Sequence, residues 1–278
     1  DIAFFLIDLY GGEAWEFRHG CDWLSYPAKI GPTHLAYQCI ENAQKWYFVP
    51  LDNPYKAFSI ELSIDPGTRA PYTPVWLNAH EIAFLVPSVF QKTCVADLAT
   101  RSAVCRVLDF FIGMVSPDGK WVEVRMGDDD TPDALGVIPA ECLKSYSDDC
   151  RLNLTADSSQ LQMRSGRFRG LADSAWLPDS KGLLFMVHED LDKTNQTSER
   201  SEIWLYKLSD GRLTRLGILD GEFYFAPDYF DLAPALWSPD GTKVVVSQGH
   251  KHHFFSIETG ELTLLSEGGV LLGSVHLE

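Results

Sequence analysis

The chain has no stretch approaching the roughly 18–20 consecutive apolar residues that a membrane-spanning helix needs, so a helical span is excluded. It has no excess of basic charge: Lys+Arg 23 against Asp+Glu 39 gives 23 − 39 = −16. A surface that negative repels phosphate backbones, which excludes nucleic acid as a partner. Its six cysteines include no Cys-x-x-Cys pair, and that argues against a structural zinc site. No long segment repeats its apolar residues at the helical period. The chain also opens at Asp1 with neither Met nor a signal-like segment, so a processed or trimmed product is expected. What is present is ordinary for a folded globular protein: 278 residues, 45% hydrophobic and 22% charged. That length suffices for one large domain or two small ones, and a single domain over 1–278 is expected.

The organisation lies in a repeat. Val115-Ser116-Pro117-Asp118-Gly119-Lys120 leads into the strand-like run Trp121–Arg125. Trp176-Leu177-Pro178-Asp179-Ser180-Lys181 leads into Leu183–Val187, and Trp237-Ser238-Pro239-Asp240-Gly241-Thr242 into Lys243–Ser247. The anchors are spaced 176 − 115 = 61 and 237 − 176 = 61 residues apart. Degenerate copies begin at Trp76 and at Ile30. In each unit a strand ends on an apolar residue, Pro presets φ, Asp bonds back to the backbone, and Gly accepts positive φ before the next strand starts.

A second hairpin follows each unit. The clearest is Ile203–Leu208, the turn Ser209-Asp210-Gly211, then Arg212–Leu216; His253–Ile257 and Ala3–Leu9 open two more, and weaker ones lie in Trp46–Leu62, Thr93–Leu108 and Gly136–Met163. That is six outer hairpins against five inner pairs. The deficit is made good when the apolar C-terminal run Val270–His276 joins the N-terminal hairpin. The expected fold is therefore all-β: a six-bladed propeller of four-stranded antiparallel blades, about 46 residues each, with the two chain ends sharing one blade. Two packed sandwiches are the runner-up, but they would not require this repetition.

The units just quoted, with Ile203-Trp204-Leu205-Tyr206 and Asp210-Gly211-Arg212-Leu213-Thr214-Arg215-Leu216, resemble the TolB-like propeller repeat, most clearly over Trp76–Gly268. The resemblance implies the fold and little about function, because propellers serve as binding modules and as enzymes. Propellers of prolyl oligopeptidase-type peptidases share the repeat, but their hydrolase domain carries a Gly-x-Ser-x-Gly elbow that these residues lack, so a serine peptidase is not expected.

The cysteines are Cys21, Cys39, Cys94, Cys105, Cys142 and Cys150. Cys94 and Cys105 flank one predicted hairpin, Cys142 and Cys150 bracket a polar stretch, and Cys21 and Cys39 remain as a third pair. Three local disulfides favour an extracytoplasmic location, periplasmic, secreted or cell-surface. Six buried thiols are the alternative.

Candidate sites belong to the predicted loop face, formed by connections between second and third strands and between blades: Gly127–Asp133, His188–Ser201, Gln248–His252, Gly20–Pro32, Pro66–Pro74 and Asp220–Pro234. Asp128 and Asp130 offer oxygen ligands for Ca²⁺, although a solvated acidic loop is the plainer reading. His250 and His252 place two imidazoles on one side of an extended segment, a start toward a divalent-metal site that would need a third ligand such as His188; a surface turn is the plainer reading. The aromatic stretch from Asp220 to Phe230 holds Tyr224, Asp228 and Tyr229, which suit a sugar ring or a partner peptide, or else pack between blades. His188 and Asp190 would border the same surface.

The function expected is a non-catalytic module that binds a protein or glycan, needs no cofactor, and assembles head to tail if a terminal strand pairs in a neighbour's blade. The competing class is a carbohydrate-active enzyme, a polysaccharide lyase or hydrolase, with its histidines around a metal at the channel mouth.

Overall fold

The computed structural model describes residues 3–7, 14–18, 29–39, 42, 44–63, 74–86, 92–108, 110–127, 132–145, 150, 153–157, 168–190, 199–225 and 236–268. The chain divides into two compact units, Asp1–Phe111 with Ala140–Ser147, and Ile112–Pro139 with Asp148–Glu278. Secondary structure among the described residues is almost wholly strand, with two short 3-10 turns at Pro54–Lys56 and Ala140–Leu143. No helix there is long and apolar enough to cross a membrane.

The first unit opens with a hairpin of β1 (Ala3–Ile7) and β2 (Ala14–Arg18), in register from Ala3 opposite Arg18 to Ile7 opposite Ala14. Two four-stranded meanders follow. One runs β3 (Lys29–Ile30), β4 (His34–Gln38), β5 (Lys45–Pro50), β6 (Phe58–Glu61); the other runs β7 (Val75–Asn78), β8 (Glu81–Val86), β9 (Lys92–Asp97), β10 (Ser102–Val107). A core containing Trp46, Phe48, Ile82 and Phe84, each without exposed surface, lies between these two sheets. Cys94 and Cys105 stand directly opposite across β9 and β10 and form a disulfide. Cys39, Cys142 and Cys150 are also disulfide-bonded, and no described cysteine is a free thiol.

The second unit holds three meanders: β11 (Phe111–Val115), β12 (Trp121–Gly127), β13 (Pro132–Pro139), β14 (Asn153–Asp157); β15 (Phe168–Trp176), β16 (Gly182–Asp190), β17 (Glu199–Lys207), β18 (Arg212–Asp220); and β19 (Tyr224–Phe225), β20 (Lys243–Gln248), β21 (Lys251–Ser256), β22 (Leu262–Glu267). Apolar cores again lie between successive sheets. Met114, Leu135, Val137, Trp176, Leu183 and Phe185 form one, and Leu184, Met186, Ile203, Phe225, Val244 and Phe255 belong to the next. Trp176, at the head of the middle repeat unit, is buried in the first of these cores, and its indole N–H donates to the Met114 carbonyl at 3.0 Å.

The repeated turn works as its residues dictate. The Ser116 hydroxyl accepts the Trp121 N–H at 3.0 Å and donates to Asp118 Oδ1, which in turn accepts the Lys120 N–H; Gly119 takes φ 72°. Ser238, Asp240 and Gly241 repeat this pattern. In the middle copy Ser180 stands where the others have Gly and still adopts φ 61°. Its hydroxyl accepts the N–H of Asp118 from the neighbouring turn at 3.0 Å, which offsets the steric cost of left-handed backbone at a residue with a Cβ.

Several expected loops are shorter than the sequence pattern suggested. β16 continues through His188 to Asp190 and β17 begins at Glu199; β12 reaches Gly127 and β13 starts at Pro132; His252 lies within β21; Asp220 ends β18; Tyr224 and Phe225 are a strand; and Lys29 and Ile30 are β3. In each case the backbone ladder outlasts the alternation of apolar side chains. Five four-stranded sheets and one two-stranded sheet are present among the described residues, and the segment Val270–His276 lies outside them.

Replacing Trp176 by Phe leaves the buried Met114 carbonyl without its donor. Urea unfolding of this variant will show a loss of about 1–3 kcal/mol with an unchanged m-value.

Candidate functional site

The segment from Asp220 to Phe225 connects two sheets of the second unit and is pinned by Ser201, whose hydroxyl donates to the Gly221 carbonyl at 2.7 Å and accepts the Phe223 N–H at 2.9 Å. Gly221 is at φ 114°, a left-handed backbone in which a side chain would be strained, and a Cβ there would also push the Gln248 side-chain amide aside. With the backbone fixed, three side chains gather. The His188 Nε2–H donates to the Phe223 carbonyl at 2.8 Å, an assignment the carbonyl acceptor forces, and Nδ1 lies 3.7 Å from Glu222 Oε1. The Tyr224 hydroxyl donates to that same Glu222 oxygen. The His188 and Tyr224 rings meet edge to face with centroids 5.1 Å apart. His188 is buried, whereas the Glu222 side chain keeps 37% of its surface in solvent. The cluster thus shows solvent a carboxylate oriented by a phenol, with an imidazole alongside.

His188 and Tyr224, both singled out from sequence, come together here. Glu222, which links them, was not singled out; an acid flanked by aromatics was the available signal. Asp190 ends β16, with its backbone in register with Glu199. Asp228 and Tyr229 lie outside the described residues, as do Asp128, Asp130 and Cys21.

The two histidines expected to form one metal-facing pair occupy different settings. His252 is buried within β21, its Nδ1 2.7 Å from the Ser247 hydroxyl, while His250 is exposed in the tight turn between β20 and β21. His253 lies edge to face against Phe223 at 5.9 Å, and burial, with Lys251 and His252 nearby, holds its pKa below the ordinary imidazole value. Among the described residues no group of three or more His, Cys, Asp or Glu is placed to hold a metal ion.

A second polar assembly ties the inner strands of this unit together. Glu123 on β12 has no exposed surface. It accepts the Arg125 Nε–H at 2.7 Å, the Ser174 hydroxyl at 2.5 Å and the Met114 N–H at 3.4 Å. Arg125 also donates to the Ser174 hydroxyl at 3.2 Å. Gly113 makes room for the carboxylate, since a Cβ there would lie 2.7 Å from Glu123 Cδ. On β15, Asp173 accepts the Phe225 N–H at 2.6 Å and the Ser174 N–H at 2.8 Å. Burial lifts its carboxyl to about 7 against the pull of Arg125 and the two amides, and Glu123 adds a further push upward. Sequence reading missed this assembly entirely.

No protein-family model and no curated protein sequence matches the chain. Solved structures do. An oligogalacturonate lyase in complex with manganese is 13% identical, matching 95% of this chain and 70% of that one with a TM-score of 0.61. Hydrazine synthase from Kuenenia stuttgartiensis is 12% identical, matching 92% and 71% with a TM-score of 0.57. TolB from Acinetobacter baumannii, 14% identical over 96% of this chain and 60% of that one, reaches 0.48, too loose a likeness to carry further. At such identities the likeness is one of fold: antiparallel sheets in β-propeller succession.

Arg125→Ala strips the countercharge from two inward carboxylates. The loss in unfolding free energy is expected to be roughly 3 kcal/mol at pH 8. It shrinks toward pH 5, where Asp173, with its raised pKa, is already neutral in the folded chain. Denaturant titrations of both proteins at the two pH values check the magnitude and the sign.

Proposed function

We propose that this chain is a single extracytoplasmic β-propeller module that binds a protein or glycan ligand at the face bearing His188, Glu222 and Tyr224. In this reading the ring has six blades, the last completed by residues 270–276 beside the β1–β2 hairpin. An isolated two-stranded hairpin is marginal in water, so added strands would stabilise it. The disulfide between Cys94 and Cys105 supports an oxidising compartment. The observation that carries the binding reading is the partly exposed Glu222 carboxylate, held by Tyr224 beside His188, on a backbone that Ser201 fixes. A tyrosine ring beside an oriented carboxylate suits a pyranose, with its apolar face and ring of hydroxyls. It also suits a basic side chain, which the net charge of −16 would draw in.

The alternative is a carbohydrate-active enzyme with a divalent metal. Its support is the fold likeness to a lyase that binds manganese, and the presence of His188, His252 and His253 within the second unit. The strongly acidic composition weighs against a polyuronide substrate in the absence of a bound cation.

Screening the whole chain against a glycan array and a panel of basic peptides will return a ligand. Tyr224→Ala and Glu222→Ala will each weaken its binding about tenfold or more while costing at most about 1–2 kcal/mol of stability, so that both variants stay folded. Ligand affinity that survives both substitutions would place the site elsewhere. Elemental analysis of the purified chain, with a uronide cleavage assay run with and without chelator, is expected to show neither stoichiometric metal nor turnover. Chelator-sensitive cleavage would establish the enzyme instead.

A further inference from the structure

Asp173 lies where two sheets of the second unit meet, and it holds its neighbour by backbone. Its Oδ2 takes the Phe225 N–H at 2.6 Å, and Oδ1 takes the Ser174 N–H at 2.8 Å. The strand it holds is short: β19 consists of Tyr224 and Phe225, paired with Ser247 and Val246 of β20. So short a strand has few ladder bonds of its own, and the Asp173 carboxylate supplies a large share of what fixes it. The adjacent residue is Tyr224, whose hydroxyl orients Glu222.

The charge around Asp173 is unbalanced. The charged groups acting on it are Arg125 and Glu123, both of β12. Its register partner on β16 is Met186, and β19 meets it through the Phe225 amide. One guanidinium therefore faces two carboxylates. Glu123 holds the Arg125 Nε–H, the Ser174 hydroxyl and the Met114 amide, so it is the better-solvated anion. An added proton goes to Asp173.

We propose that Asp173 is a proton-operated clasp on β19, holding Tyr224 and the Glu222 site firmly when ionised and loosening them when protonated. Ionised, the carboxylate accepts two charge-assisted hydrogen bonds. Protonated, one oxygen becomes a hydroxyl, and the bonds fall to the strength of neutral ones, roughly half. The raised pKa sets the change near neutral pH, with the clasp closed above it and relaxed below. The clasp needs no ligand to operate, so it stands or falls separately from the binding reading. If that reading holds, ligand capture becomes pH-dependent through a residue that does not touch the ligand.

Nuclear magnetic resonance of the isotope-labelled whole chain tests this. The protection factor of the Phe225 amide, corrected for the intrinsic pH dependence of exchange, is expected to be about fivefold lower at pH 6 than at pH 8. The Phe225 and Tyr224 amide shifts should titrate together with a midpoint near 7. In Asp173→Asn both effects should vanish, and in Glu123→Gln the midpoint should fall, because a repelling charge is gone. A pH-independent Phe225 amide in the unaltered chain overturns the proposal, as does a titration that persists in Asp173→Asn. Should the Asn variant fail to fold, an unmoved midpoint in Glu123→Gln overturns it equally.

Discussion

Glu123 is a carboxylate with no exposed surface, and an anion removed from water must be solvated by the protein or lose its charge. Much of the second unit is arranged to meet that requirement. β11 gives a backbone N–H, β12 gives Arg125, and β15 gives the Ser174 hydroxyl; Asp173, next along β15, continues the chain of bonds to β19. One line of polar contacts thus runs through all three sheets. The apolar cores between those sheets supply most of the burial, but dispersion and water exclusion are nearly indifferent to small slides of one sheet on another. The directional bonds to Glu123 and Asp173 are not. A buried ion pair of this kind does little for net stability, but losing one partner would leave the other uncompensated.

Directional bonds of the same kind recur at the adjoining turns. There the Ser-Pro-Asp-Gly turns bond internally through Ser and Asp, and Trp176 reaches from one sheet to the Met114 carbonyl of the previous one. Both kinds of tie meet at Met114, whose carbonyl takes the Trp176 indole and whose N–H goes to Glu123, with aliphatic and aromatic side chains packed around them. The candidate site at Glu222 adjoins Phe225, whose N–H Asp173 holds. Its backbone is immobilised by Ser201 and its approach is shaped by Gly221, so the side chains facing solvent need little further ordering to bind.

The meanders were legible because their turn chemistry repeats, and Pro-Asp-Gly names its own geometry. Strand ends were less so. His188 and His252 look like loop residues in sequence, yet each is buried in a ladder because its ring nitrogen finds a partner on another segment, Phe223 in one case and Ser247 in the other. The first of these lies 35 residues away and acts through a carbonyl, which carries no sequence signature. The Glu123 assembly was illegible for a related reason. In Trp121-Val122-Glu123-Val124-Arg125 the charges alternate with valines as they would on a half-solvated strand, and only the packing of the next sheet turns the polar face inward. His188 and Tyr224 could be picked out by residue type, whereas Glu222 became visible only once the two rings were seen to flank it.

Ser180 carries a consequence for how such a chain can change. Where sister turns keep an unconstrained glycine, this one accepts a backbone penalty in order to hold the adjoining turn by its Asp118 amide. Restoring the ancestral-looking residue would relax one loop and orphan an amide in another. The repeated units are in this way specialised to their neighbours, so that deletion or shuffling of a single unit would break the bond it makes to the adjoining turn. The turns still look alike in sequence, but they are no longer interchangeable.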